Sequence, residues 1–376
     1  MDLPQIDGAA PADEPLGLLE RGRGAGWTFA AQSGFGQDLL LACLRREPRW
    51  DRQVESRADY YAALALHVGV PISELTPRPI DEDDEWILLE VLEAMAERGS
   101  VAAAETVRTV QRDPSTSVPP VTGRPRANSN LSPDSPIEEL LAASRPPFPK
   151  AVIHRLRTSA DPIEVDALRS ASQHRDHPGW RLALHVLARR GDTTPLASIE
   201  QVLAEDEPGS LRAAAFQYMR ALPGHISVPF ARAWLTHSDG RGAVAAAVLG
   251  SHAELPDEAA IRNALANAND YYTVSSLVEA LGRLPSAGPF PELDEVYCLS
   301  AYSYARARVV ESMALTDPDF PQKWAAECLW DCEATVRIWA ARLAPDERTV
   351  HRRLQELADD VYEDPDVRQE ARHRLR

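Results

Sequence analysis

Asp331-Cys332-Glu333-Ala334-Thr335-Val336-Arg337-Ile338-Trp339-Ala340-Ala341 is one copy of a phrase that recurs through the second half of the chain. Asp364-Pro365-Asp366-Val367-Arg368-Gln369-Glu370-Ala371 is the next copy. In each, an acidic residue precedes an Arg by a short gap, and an apolar run with helical spacing follows. The Arg position falls at Arg181, Arg212, Ala243, Val274, Arg306, Arg337 and Arg368, at intervals of 31, 31, 31, 32, 31 and 31 residues. A fixed period in this range is the signature of a repeat array. Apolar residues within each period recur at i, i+3, i+4 and i+7, which specifies amphipathic helices, and sustained apolar–polar alternation is almost absent, which argues against strands. Two helices fit each period. Neither can bury its apolar stripe alone, so neighbouring pairs must stack and share a core.

The phrase explains its own residue types. An Asp at the start of a helix can cap it and can accept from an Arg of its own or the adjacent unit. Asp176, Arg181, Asp206, Arg212, Arg306, Asp331, Arg337, Asp364 and Arg368 are therefore assigned to a structural ladder rather than to catalysis, because a catalytic group has no reason to recur in every unit. Ala243 and Val274 lack the Arg, and Arg306 lacks a close upstream Asp, so the ladder is expected to break in the middle. Small residues at Ala213 to Ala215 are expected to let adjacent helices approach closely.

The phrase resembles the short HEAT repeats, about 31 residues long, of phycobilisome-lyase-like proteins. The resemblance covers residues 148–376 well and 34–112 loosely. It implies an all-α fold: a right-handed α-solenoid of stacked antiparallel helix pairs, armadillo-like in form. By analogy it also implies a scaffold that binds a partner on its concave face. With only two lysines among 40 basic residues and abundant Ala, the sequence suggests a high-GC source such as an actinobacterium.

Four segments follow from composition: an N-terminal extension over 1–33, a helical HEAT-like block over 34–112, a disordered Pro/Ser-rich linker over 113–135, and the repeat array over 136–376. Residues 1–14 are expected to fray. Arg21-Gly22-Arg23-Gly24-Ala25-Gly26-Trp27 has neither the spacing nor the preceding strand of a phosphate loop, so a helix break with close packing is the better reading.

The net charge of −17 divides into about −10 over 1–113, +1 over 114–150 and −8 over 151–376. That balance argues against nucleic acid and anionic lipid as partners. No run of 18 apolar residues and no N-terminal apolar segment is present, which predicts a cytoplasmic protein with no membrane span. Cys43, Cys298, Cys328 and Cys332 have no metal-ligand spacing, and His174 to His177 is better read as a turn, so no metal or cofactor is expected. No catalytic motif is present.

The expected function is a non-enzymatic interaction or regulatory scaffold for a protein or peptide. The second helix of each pair is expected to line the binding face. That places Arg232, Trp234, His237, Arg262, Tyr297, Trp324, Trp330, Arg352 and Arg353 as candidate contacts, aromatic and Arg side chains being the usual interface anchors. The alternative is a nucleic-acid-binding protein. The cluster Trp324, Glu327, Trp330, Asp331, Arg337 and Trp339 is similar, in residue types alone, to the site of a DNA glycosylase family built on HEAT-like repeats.

Overall fold

The computed structural model describes residues 3–4, 6, 8–46, 49, 51, 55, 57–76, 86–112, 132–143, 148–205 and 209–376. Asp206 and nearly all of the expected linker lie outside these residues. Among the described residues the chain is all-α, with no strand. No helix is long and apolar enough to cross a membrane.

In chain order the first helices are α1 (Pro15–Glu20), α2 (Gly24–Gln32), α3 (Gly36–Arg46), α4 (Ala58–Val68), α5 (Ile72–Leu75), α6 (Trp86–Glu97) and α7 (Val101–Arg112). Then come α8 (Ile137–Ala143), α9 (Lys150–Thr158), α10 (Pro162–Gln173), α11 (Trp180–Arg190), α12 (Leu196–Ala204), α13 (Gly209–Ala221), α14 (Gly224–Trp234), α15 (Gly240–His252) and α16 (Glu258–Ala266). The last are α17 (Tyr271–Gly282), α18 (Pro291–Leu299), α19 (Ser303–Thr316), α20 (Phe320–Lys323), α21 (Ala325–Cys328), α22 (Ala334–Leu343), α23 (Arg348–Asp359) and α24 (Pro365–Arg374).

Contacts divide the chain into two compact units. One joins Met1–Pro119 to Leu265–Arg376; the other is Pro120–Ala264. The helical block over 34–112 thus shares a unit with the C-terminal end of the repeats.

In the Pro120–Ala264 unit the first helices of successive pairs, α11, α13 and α15, form a row of packed neighbours. In the other unit α17, α19, α22 and α24 form an equivalent row. The apolar stripe of each row is buried: Leu182, Val186 and Leu187 on α11, and Leu277, Val278 and Leu281 on α17. Asp239, Asp270 and Asp364 cap α15, α17 and α24 by accepting from backbone N–H groups two or three residues on.

The ladder runs forward along the chain. Arg306 pairs with Asp331 of the next repeat at 2.9 and 3.0 Å. Arg337 pairs with Glu363 at 2.6 Å and donates to the carbonyls of Asp331 and Cys332. Arg306 therefore needs no upstream Asp, and the expected break at that position is filled from downstream. Asp176 is exposed in its turn. Arg181 donates to Ser210 at 2.7 Å. Arg212 is exposed at the start of α13, and the Nε of Arg368 is buried with no hydrogen-bond partner among the described residues.

The described residues of 1–14 are packed rather than frayed: Leu3 and Ala10 are buried, the Pro4 carbonyl accepts from the Tyr271 hydroxyl, and the Ala10 carbonyl accepts from Arg21.

Candidate functional site

The glycine-rich stretch Arg21 to Trp27 lies against the C-terminal repeats. Gly22 has φ +70°, and a Cβ there would stand 2.4 Å from the Cys332 Sγ. A Cβ on Gly24 would stand 2.0 Å from the Glu327 carbonyl oxygen. Only glycine permits this approach. With it in place, the Cys332 N–H donates to the Gly22 carbonyl at 2.9 Å. Arg23 forms a two-pronged ion pair with Glu327 at 3.0 and 3.1 Å and lies over the Tyr297 ring. Trp27 stacks on Trp330 with ring centres 4.1 Å apart, and the Arg353 guanidinium lies 3.6 Å from the centre of the Trp330 ring.

Behind this seam lies a charged interior. Arg57 pairs with Glu55 at 2.6 Å and donates to the carbonyls of Glu20 and Ala301. Glu55 also accepts from the Ser303 N–H at 2.7 Å. Burial alone would lower the Arg57 pKa, but the Glu55 carboxylate outweighs it and holds the guanidinium charged. Burial would raise the Glu55 carboxyl, and Arg57 together with two backbone donors reverses that. Arg306 and Asp331 are both 0% exposed. Such pairs are costly to desolvate and are held by geometry. Burial raises the thiols of Cys43, Cys328 and Cys332, so none is a reactive thiolate at neutral pH. No cluster among the described residues has the donors to hold a metal ion.

Four of the expected contact residues come together here. Tyr297 is fully buried and donates to Glu327. Trp324 donates to Asp294 at 2.8 Å. Trp330 contacts both Trp27 and Arg353, and burial brings the Arg353 guanidinium down to about 10. Arg352, the preceding residue of α23, is exposed. In the Pro120–Ala264 unit, Arg232 pairs with Asp257 at 2.7 Å and with Glu254 at 2.9 Å. Trp234 is buried, His237 is exposed, and Arg262 pairs with Glu258 at 3.2 Å.

Among the described residues a concave feature lies on first helices. A cleft of about 480 Å³ opens between α11 and α13, with Phe148 at its edge. From α11 come Arg181, His185 and Arg189, one stripe with four-residue spacing. From α13 come Ser210, Ala213, Ala214 and Gln217. Of the three alanines at 213–215, only Ala215 is buried; Ala213 and Ala214 line the cleft. The Tyr218 ring closes one side, its hydroxyl donating to the Asp192 carbonyl. Arg189 donates to the His185 ring at 3.0 Å. Burial, then the charge of Arg189, lower the His185 pKa, so the imidazole is neutral at pH 7. Among the described residues no carboxylate lines the cleft, and neither Arg181 nor Arg189 has an ion-pair partner. The sequence signal was available: three basic or imidazole side chains on one helical stripe with no acid four residues away, facing consecutive alanines.

Compared with known proteins, the chain matches no family model, no curated protein and no solved structure.

Proposed function

We propose that the chain is a HEAT-like α-solenoid, right-handed in its winding, that acts as a non-enzymatic scaffold by binding a protein or peptide. The 31-residue recurrence and the rows of first helices in each unit support the architectural part. One observation carries the functional part: the α11–α13 cleft is lined by alanine methyls and by two arginines that have no carboxylate partner among the described residues, on a chain of net charge −17. Apolar concave surface with a few convergent polar groups is the usual form of a recognition site. The two guanidiniums supply orientation and on-rate.

A photoreactive residue tests this directly. Gln217→p-benzoylphenylalanine places the probe in the cleft, and Ile163→p-benzoylphenylalanine places it on an exposed control surface. The expected result on irradiation in cells is a discrete protein adduct from position 217 alone, diminished by Arg189→Glu. Adducts to nucleic acid only, or adducts indifferent to Arg189→Glu, would overturn the reading.

A further inference from the structure

The geometry points to a specific ligand for the cleft: an extended acidic peptide segment of a partner protein, with two carboxylates four residues apart and one apolar side chain midway between them. The inference rests on the scaffold reading and names what that scaffold grips.

Arg181, His185 and Arg189 lie on one face of α11, because residues four apart nearly eclipse on a helix. Eight residues at 1.5 Å each separate the two arginine positions by about 12 Å along the axis. Ser210, Gln217 and the alanines make the facing stripe on α13. Ala213 and Ala214 each present a single methyl, so the α13 side of the cleft facing the arginines is apolar.

An extended chain advances about 3.3 Å per residue and sends alternate side chains to the same side. Its first, third and fifth side chains therefore face one surface, and the first and fifth are about 13 Å apart. That span matches the separation of the two α11 positions, with Arg189 leaving the His185 carbonyl, to which it donates at 3.0 Å, to meet the second carboxylate. The third side chain then falls over the alanines, where burial of an aliphatic group is favourable. Gln217, with both donor and acceptor atoms, suits a peptide group of the ligand. A helical ligand would place the same five residues only about 6 Å apart along its axis and would miss one arginine.

Charge selects the same class. Lys150, two residues from Phe148, and Arg220, next to Ala221, add positive charge at the margins, and neither has an ion pair among the described residues. A polyanion such as nucleic acid would extend past this local patch into the field of a protein at −17. A short segment with two carboxylates would not.

The test uses the full chain and a fluorescein-labelled synthetic peptide, Gly-Glu-Ser-Leu-Ser-Glu-Gly, followed by fluorescence anisotropy at low ionic strength. Saturable binding is expected. Losing one charge-assisted contact costs about 1.5–3 kcal/mol, so Arg181→Gln or Arg189→Gln is expected to weaken binding roughly 10- to 100-fold. A peptide with one Ser removed turns its second carboxylate to the opposite side and is expected to lose affinity similarly. The charge-swapped pair, Lys for both Glu with Arg181→Glu and Arg189→Glu together, is expected to restore it. Equal binding of the shortened peptide, or of an oligothymidylate of the same charge, would overturn the inference. If the peptides fail while the probe at position 217 still traps a protein, the inference falls and the scaffold reading stands. If both fail, both fall.

Discussion

Removing the carboxylate of Asp331 probes how the seam of the Met1–Pro119 and Leu265–Arg376 unit is held. Arg306 lies at 0% exposure and receives Asp331 through two hydrogen bonds, at 2.9 and 3.0 Å. Among the described residues its Nη1 has no hydrogen-bond partner, and its Nη2 also donates to the Cys332 sulfur at 3.4 Å, a weak acceptor. Asp331→Ala therefore leaves a buried, uncompensated guanidinium, and such deletions cost about 3–5 kcal/mol. For a unit of this size each kcal/mol shifts the melting temperature by about 2–4 °C, so a fall of roughly 6–20 °C is expected. Arg306→Met with Asp331→Leu removes both charges and keeps the volume; it should recover most of the loss, because the pair itself adds little once its desolvation is counted. Urea unfolding followed by tryptophan fluorescence measures both. A loss below about 1 kcal/mol for Asp331→Ala, the range of an exposed pair, would refute the reasoning.

Gly24→Ala drives a methyl into the Glu327 carbonyl at 2.0 Å and should cost at least about 1–3 kcal/mol, read as a drop in urea midpoint with CD at neutral pH. Trp27→Ala should cost about 3–5 kcal/mol and shift the emission of the uncovered Trp330 to the red. The Asp239 carboxyl is held below its usual range chiefly by its hydrogen bonds from Arg241, so its contribution is present above the ordinary Asp pKa and is lost as pH falls through the folded-state pKa. Asn keeps the helix cap, so Asp239→Asn should be less stable than the parent at neutral pH and indistinguishable from it in strong acid, whereas Asp239→Ala should lose about 1 kcal/mol at both. Cys43 and Cys328 are buried with raised pKa values, so a thiol reagent should modify neither until urea unfolds the chain; rapid reaction of both in the native protein would contradict their burial.

What could be read from the sequence is local. Helical period is a property of neighbours in the chain and appears where the spacing put it; Asp364 caps α24 as its phrase implies, whereas Gly179 rather than Asp176 stands at the start of α11 and Glu333 rather than Asp331 at the start of α22. Pro229 lies inside α14 without ending it, which propensity alone would not have foreseen. The repeat phrase showed which arginines were structural, but not that Arg306 reaches forward to Asp331. Contacts between distant segments carried no signal at all: Arg23 meets Glu327 across 304 residues. Tyr297 and Trp330 have the side chains of interface anchors, and the chain's own Arg23 and Trp27 use them in that way. The cleft was half legible. Its arginines stand out on α11, but the alanines opposite could equally have been packing residues, and only the backbone spacing of α11 and α13 decides between the two.

The division of one unit between both ends of the chain has a consequence in time. Arg57 donates to the carbonyl of Ala301, 244 residues later. At a synthesis rate of about 5–20 residues per second, Ala301 is made roughly 12–50 s after Arg57. Through that interval Arg57 lacks the Ala301 carbonyl, Glu55 lacks the Ser303 N–H and Trp27 lacks Trp330, and every residue of Pro120–Ala264 is made before it ends. The order of birth is therefore the reverse of nesting: the inserted unit is complete first, and the enclosing one closes last. A ribosome stalled before residue 265 should present an N-terminal segment that proteases cut readily, and release of the full chain should protect it.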